Sequence, residues 1–444
     1  MFDRRTLILS GGALLAGSAV GAAPMKRQGS LTFPKGFLWG AATSGHQTEG
    51  NNVASDSWLL ETVKPSAYAE PSGDAVNSFE LWPQDMDLVR SLGLNTYRFS
   101  LEWSRIEPEQ GRFSVAMLDH YKAMIEGCRT RGLSPVVTFN HFTCPRWFAA
   151  AGGWTHASAP DLFARYCERA ARHLGDGIAF AVTLNEPNLP ALLAWAQIPP
   201  PVYAAQKENR AAAARAAGSD QFWGGFLFTP EEHARMVPNL IAAHRKGREA
   251  IRSVRSNLPV GMSLAISDDQ AVGSDSKRDA KRASAYGPWL DLARGDDVIG
   301  VQNYDRSRLD ASGQLPAPEG SPRNSMGSEI YPASLEGAVR YAHQATGRPV
   351  LVTEHGLGTT DDRQRAAFIP PALAGLKRAM DDGVPVLGYI HWSLLDNFEW
   401  YFGYAPHFGL VEVDRATFRR TPKPSAAILG AIARGNRLPK GSAG

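Results

Sequence analysis

Glu186, in the run AVTLNEPN, and Glu354, in LVTEHG, each close a short apolar, β-branched stretch. A carboxyl group in such a position can serve as acid, base or nucleophile. Comparable places hold Gln47 in SGHQTEG, Arg98 in YRFS, Asn140-His141, Asn185, Tyr304, Trp392 and Glu399-Trp400. Amide, imidazole, carboxylate and indole groups together offer paired hydrogen bonds to vicinal hydroxyls and an apolar face for ring C–H bonds, which is what holding a sugar requires. Any one of them alone reads as readily as a strand-end cap, an ion pair or a packed aromatic. Their coincidence at the ends of seven separate runs points to one shared site.

Those runs imply the frame. Eight short β-branched or aromatic segments, at 37–43, 96–100, 135–140, 179–184, 260–266, 298–304, 349–353 and 386–393, alternate with amphipathic stretches of helical length. The latter fall at 82–92, 114–131, 160–174, 230–253, 334–346 and 369–382. Such alternation predicts β/α units around a parallel sheet, and eight of them predict an α/β fold made of a single (β/α)₈ TIM barrel. Active sites of such barrels lie at the C-terminal ends of the strands, where the polar residues above are found. Residues 204–219, with the core AAAARAAG, read either as a helix or as a loose excursion; the Pro-, Gly- and Ser-rich 313–327 reads as a surface loop.

The blocks FPKGFLWGAATSGHQTEG, NTYRFSLEWSRIEPEQG, AVTLNEPN, LVTEHG and WSLLDNFEWYFGYAPHFGLVEVD resemble the signature segments of glycoside hydrolase family 1, the β-glucosidase-type enzymes, from about residue 31 to 424. The resemblance implies hydrolysis of β-linked glycosides with net retention, Glu354 as nucleophile and Glu186 as acid/base. Retention needs two carboxyl groups about 5 Å apart, one attacking and one protonating the leaving group. Arg98 and Tyr304 are then the partners of Glu354. Asn185 becomes a contact of the sugar 2-hydroxyl, and Gln47, His141, Trp392, Glu399 and Trp400 bind the remaining hydroxyls and the ring face. Glu399 would also repel a 6-phosphate, which disfavours phosphorylated glycosides. Three departures stand out: His355 replaces the Asn that follows the nucleophile, Phe142 replaces an indole donor directed at the 3-hydroxyl, and residues 51–82 lack the usual histidine-rich block.

Composition agrees with an ordinary globular enzyme: 444 residues, 43% hydrophobic and 20% charged, with a formal charge of only +3. Neither nucleic acid nor an anionic membrane is called for as partner. The substrate class is a small-molecule or oligosaccharide β-glycoside, and no motif asks for a metal or cofactor. Arg4-Arg5 followed by the uncharged, Ala/Gly/Leu-rich stretch 7–23 reads as a twin-arginine-type export signal, leaving residues 24–444 as the catalytic barrel of an exported, periplasmic protein with no stable membrane span. Cys128, Cys144 and Cys167 are odd in number and lack metal-ligand spacing, so they read as buried thiols. Beside an exo-acting hydrolase that favours β-glucosides, two readings stay open: a transglycosylase on the same scaffold, and a sugar-binding protein that has lost catalysis. Oligomeric state is not encoded in any feature of the sequence.

Overall fold

The computed structural model describes residues 31–174 and 177–441; the leader expected at 1–23 lies outside them. Eight parallel strands close into a barrel: β1 (Leu38–Ala42), β2 (Thr96–Ser100), β3 (Ser134–Asn140), β4 (Phe180–Asn185), β5 (Val260–Ala265), β6 (Ile299–Asn303), β7 (Val350–His355) and β8 (Val386–Trp392). Each pairs with its neighbour in sequence, and β8 returns to β1 through the register Ala42↔Trp392. All eight expected strands are present, with ends displaced by a residue or two. The fold is the expected (β/α)₈ barrel.

Side-chain alternation divides the strands between two cores. Val136, Val182, Leu351 and Ile390 pack together inside the barrel. Their neighbours Val137, Val301, Val350, Val352 and Tyr389 face the helices and belong to the larger apolar layer outside.

In two strands this alternation is broken just before a residue of interest. Between β4 and β5 the register passes from Val182↔Gly261 to Asn185↔Ser263, and between β6 and β7 from Val301↔Val352 to Gln302↔Glu354. One extra residue on β4 and one on β7 make each a bulge, a device that re-aims side chains. Without it Glu354 would share the outward face of Val350 and Val352. With it, Glu354 turns inward and His355 turns out, where its ring stacks on Phe368.

Local chemistry starts the helices. Pro230–Val254 opens with Pro at its first position and a reciprocal cap, in which Thr229 Oγ1 accepts from the Glu232 N–H at 3.2 Å and Glu232 Oε2 accepts from the Thr229 N–H at 3.0 Å. Two starts differ from expectation. The helix expected from 369 spans Asp362–Asp381, capped by the Asp361 side chain on the Arg363 N–H, so Pro370 and Pro371 lie inside it and do not begin it. The one expected from 82 is Ser78–Ser91, with Pro83 internal. In both, proline lies within the helix and not at its start, its commonest helical place. Residues 204–219 resolve as helix, within Pro200–Ala216, while 313–327 is irregular.

The two ends of the described chain meet below the barrel. The Phe33 N–H donates to the Asn436 carbonyl at 2.9 Å, and Trp39 Nε1–H donates to Asn436 Oδ1 at 2.9 Å. Cys128, Cys144 and Cys167 are buried and unpaired. Among the described residues no helix is long and apolar enough to cross a membrane.

Candidate active site

Arg98 organises the barrel mouth. It points inward from β2, is fully buried, and its guanidinium spans the interior. Nη1 donates to Glu354 Oε1 on β7 at 2.5 Å, Nη2 to Asn185 Oδ1 on β4 at 2.5 Å, and Nε to Thr138 Oγ1 on β3 at 3.2 Å. A single cation thus ties Asn185 at the end of β4 to Glu354 on β7. Tyr304, just beyond β6, donates its hydroxyl to the other Glu354 oxygen at 2.6 Å.

Glu186 is placed differently. It follows Asn185 with its backbone at φ 47°, in the left-handed region that non-glycine residues rarely occupy. Strain of this kind collects at functional sites, where surrounding structure enforces it. Among the described residues its carboxyl makes no ion pair.

The two acids therefore have unequal environments. Burial raises the Glu186 carboxyl well above its ordinary range, the charge of Glu354 raises it further, and Arg98 opposes only in part. Burial also raises Glu354, but Arg98 and the Tyr304 hydroxyl act directly on it to pull it down. Of the two, Glu354 loses its proton first, which leaves one ionised and one protonated carboxyl in the same mouth.

Asn185 is fixed as a donor. Its oxygen accepts from Arg98 and, at 2.7 Å, from Gln302 Nε2, so its amide N–H groups are left to face the pocket and His141, whose Nε2 lies 3.5 Å away. Burial keeps the His141 imidazole neutral, with its ionisation well below the usual value, and Nδ1 has no protein partner. With Nε2 accepting from Asn185, Nδ1 carries the proton and can donate to a ligand hydroxyl.

A second polar group lies beside the first. Gln47 accepts from Ser44 Oγ at 2.7 Å and donates to the Phe398 carbonyl at 2.9 Å and to Glu399 Oε2 at 3.3 Å. Trp392 Nε1–H reaches Glu399 Oε1 at 3.4 Å. The Trp392 ring stacks on His141 with centroids 5.7 Å apart, and Trp400 lies parallel to His141 at 6.3 Å. The ten residues to which the resemblance gives a role thus gather at one mouth, while the Asn140 amide is spent on the Thr143 carbonyl at 2.9 Å. Burial raises the Glu399 carboxyl well above its usual range.

Sequence reasoning missed several contributors. Gln302 holds the Asn185 oxygen, and its position two residues before Tyr304 on an alternating strand was the available signal. His46 stacks under Trp400 at 5.5 Å, and Asn397 accepts from Gln47 at 3.1 Å. Phe226, from the long connection after β4, meets Phe142 and Trp400, and nothing in the sequence marked it. His355, one of the departures from the family pattern, bonds through Nδ1 to the Tyr389 hydroxyl at 3.0 Å on the outer side of the barrel wall.

Comparison with known proteins places this geometry in context. The family model described as Glycosyl hydrolase family 1 matches residues 30–293 and 301–438. A β-glucosidase of Agrobacterium sp. is 29% identical, covering 93% of this chain and 97% of its own. Among solved structures, β-glucosidase 1317 is 45% identical at a TM-score of 0.87, covering 91% of this chain and all of its own. The β-glycosidase BGL167 is 48% identical at a TM-score of 0.85, covering 92% and 98%.

Proposed function

The chain belongs to glycosyl hydrolase family 1 and is a glycoside hydrolase of the β-glucosidase type, and from that membership we propose that it is an exo-acting, retaining enzyme that favours β-glucosides. In this reading Glu354 attacks the anomeric carbon while Glu186 gives its proton to the departing oxygen, forming a glycosyl ester and a free alcohol. Esterification removes the Glu354 charge that had kept Glu186 protonated. Glu186 then takes a proton from water as the water oxygen attacks the same carbon, and the ester bond to Glu354 breaks.

The observation that carries the reading is the asymmetry of the acid pair. Arg98 and Tyr304 bind Glu354 directly, while Glu186 is buried and feels the Arg98 charge without bonding to it. Two identical side chains acquire two ionisation states, as acid-assisted nucleophilic displacement demands. Asn185, turned as a donor, supports contact with the sugar hydroxyl next to the reacting carbon, an interaction that strengthens as charge develops there.

The test is stereochemical. An aryl β-glucoside followed by NMR should release the β-anomer of the sugar first, and Glu354→Ala should abolish turnover, with azide yielding an α-glycosyl azide. Initial release of the α-anomer would contradict the reading.

Export rests on the sequence of residues 1–23. In a twin-arginine-competent bacterium, Arg4→Lys with Arg5→Lys should leave activity in the cytoplasm while the unaltered chain delivers it to the periplasm; equal delivery of both would refute twin-arginine export.

A further inference from the structure

The strand end that carries Glu186 is gripped from outside the barrel. Two buried histidines of the helix Pro230–Val254, His233 and His244, reach the chain on either side of it. His233 Nε2–H donates to the carbonyl of Pro187, the residue after Glu186, at 2.9 Å. His244 Nδ1 lies 2.7 Å from the hydroxyl of Thr183, which stands before Glu186 on β4. From 233 to 244 is close to three helical turns, so both side chains leave the helix on one face, roughly 16 Å apart along its axis.

A carboxylate only accepts, so His244 Nε2–H donates to Asp296 Oδ1 at 2.9 Å, and in the neutral ring this leaves Nδ1 to accept the Thr183 hydroxyl proton. Asp296 stands just before β6 and pairs with Arg248 at 3.4 Å, so Thr183, His244 and Asp296 tie β4 to the helix and to the entry of β6. The order of groups is that of a hydrolytic triad, but Thr183 is 0% exposed and no substrate can reach it. Positioning is what remains. Thr183 marks the β4 bulge: Val182 faces the barrel interior, Leu184 belongs to the outer apolar layer, and Asn185 turns back to the pocket. Glu186 follows at φ 47°, with its N–H donating to the Ser263 carbonyl on β5 at 2.8 Å. Such a backbone persists only where its surroundings enforce it, and the two histidines hold both of its shoulders. Glu354 and Asn185 have ties of their own, to Arg98.

We propose that His233 and His244 are positioning residues for general acid catalysis, which together hold segment 183–187 so that the Glu186 carboxyl stands where the departing oxygen needs a proton. This rests on Glu186 as the acid of the glycosidase reading and adds what keeps it in place. Proton transfer demands hydrogen-bond reach, and a displacement of about 1 Å can cost about 100-fold in rate. Loosening the clamp therefore weakens protonation of the leaving group first, while the nucleophile keeps its partners Arg98 and Tyr304.

The leaving group supplies the readout. Methyl β-glucoside departs only with a proton from the acid, whereas 2,4-dinitrophenyl β-glucoside releases a phenolate stable without one. His233→Leu should lower kcat/KM for the methyl glucoside about tenfold more than for the dinitrophenyl glucoside. His233→Gln keeps an N–H within reach of the Pro187 carbonyl and should bring the ratio of the two back near that of the unaltered enzyme. Thr183→Val removes the hydroxyl with little change of shape and should move the ratio in the same direction as His233→Leu, which decides the matter should the leucine variant fail to fold. A loss shared equally by both substrates, or a ratio unchanged in the folded variants, is what a merely structural role produces and would overturn the proposal. Glu186→Ala, measured alongside, sets the full size of the effect. An equal loss on both substrates in that variant would instead remove Glu186 from the acid role, and the glycosidase mechanism beneath the proposal would fail with it.

Discussion

Glu186 and Glu354 are chemically identical, and their neighbours make them different. Glu354 lies between a guanidinium at 2.5 Å and a phenol at 2.6 Å, whereas burial and the charge of Glu354 govern Glu186. In the proposed mechanism activity rises with pH as Glu354 ionises and falls as Glu186 does, since the first must be charged and the second neutral. Tyr304→Phe removes a hydrogen bond that lowers the Glu354 ionisation, so the acid limb of kcat/KM should move to higher pH, with a loss of about tenfold or more at the optimum. An acid limb left in place, measured over a full pH series, would show that Tyr304 does not stabilise the charged form. The residue types at this site were legible in the sequence because amides, acids and indoles closed otherwise apolar runs. Gln302 went unread although it shares a strand face with Tyr304. The two bulges went unread as well, because they depend on pairing between strands and not on one strand's composition.

The connections explain more of this protein's individuality than the strands do. Asp56, inside the segment that departs from the family pattern, accepts from the Ser57 N–H at 2.8 Å as well as from Cys144 and Gly225. Asp56→Ala would leave these buried donors without an acceptor, a cost of about 1–3 kcal/mol for each one that water cannot reach. The urea midpoint should fall accordingly. A variant with an unchanged midpoint would show that the tie is dispensable. None of this was readable beforehand. Residues 51–82 matched no expected block, and the long stretch between β4 and β5 offered only a helix-or-loop ambiguity around 204–219. Contacts over such separations are set by tertiary packing, to which periodicity is blind. The helices that begin at Asp362 and Ser78 carry prolines in their interiors, a place where proline is rarely found.

Seen entire, the molecule is a barrel whose lower and outer parts supply rigidity and whose upper rim supplies chemistry. Eight strands were countable from sequence because most are rich in apolar, β-branched or aromatic residues, as a sheet covered on both faces requires. That regularity brings residues from β2, β4, β6 and β7 to one cation, Arg98, and its neighbours. The central claim is that Glu354 forms a covalent bond with the sugar. A fluorinated β-glucoside with an activated aryl leaving group forms the glycosyl ester faster than water releases it, so the intermediate accumulates. Mass spectrometry of the digested enzyme should find one sugar per chain, on the peptide containing Glu354. A label on any other residue, or an unlabelled enzyme that still turns over the parent glycoside, would contradict the account.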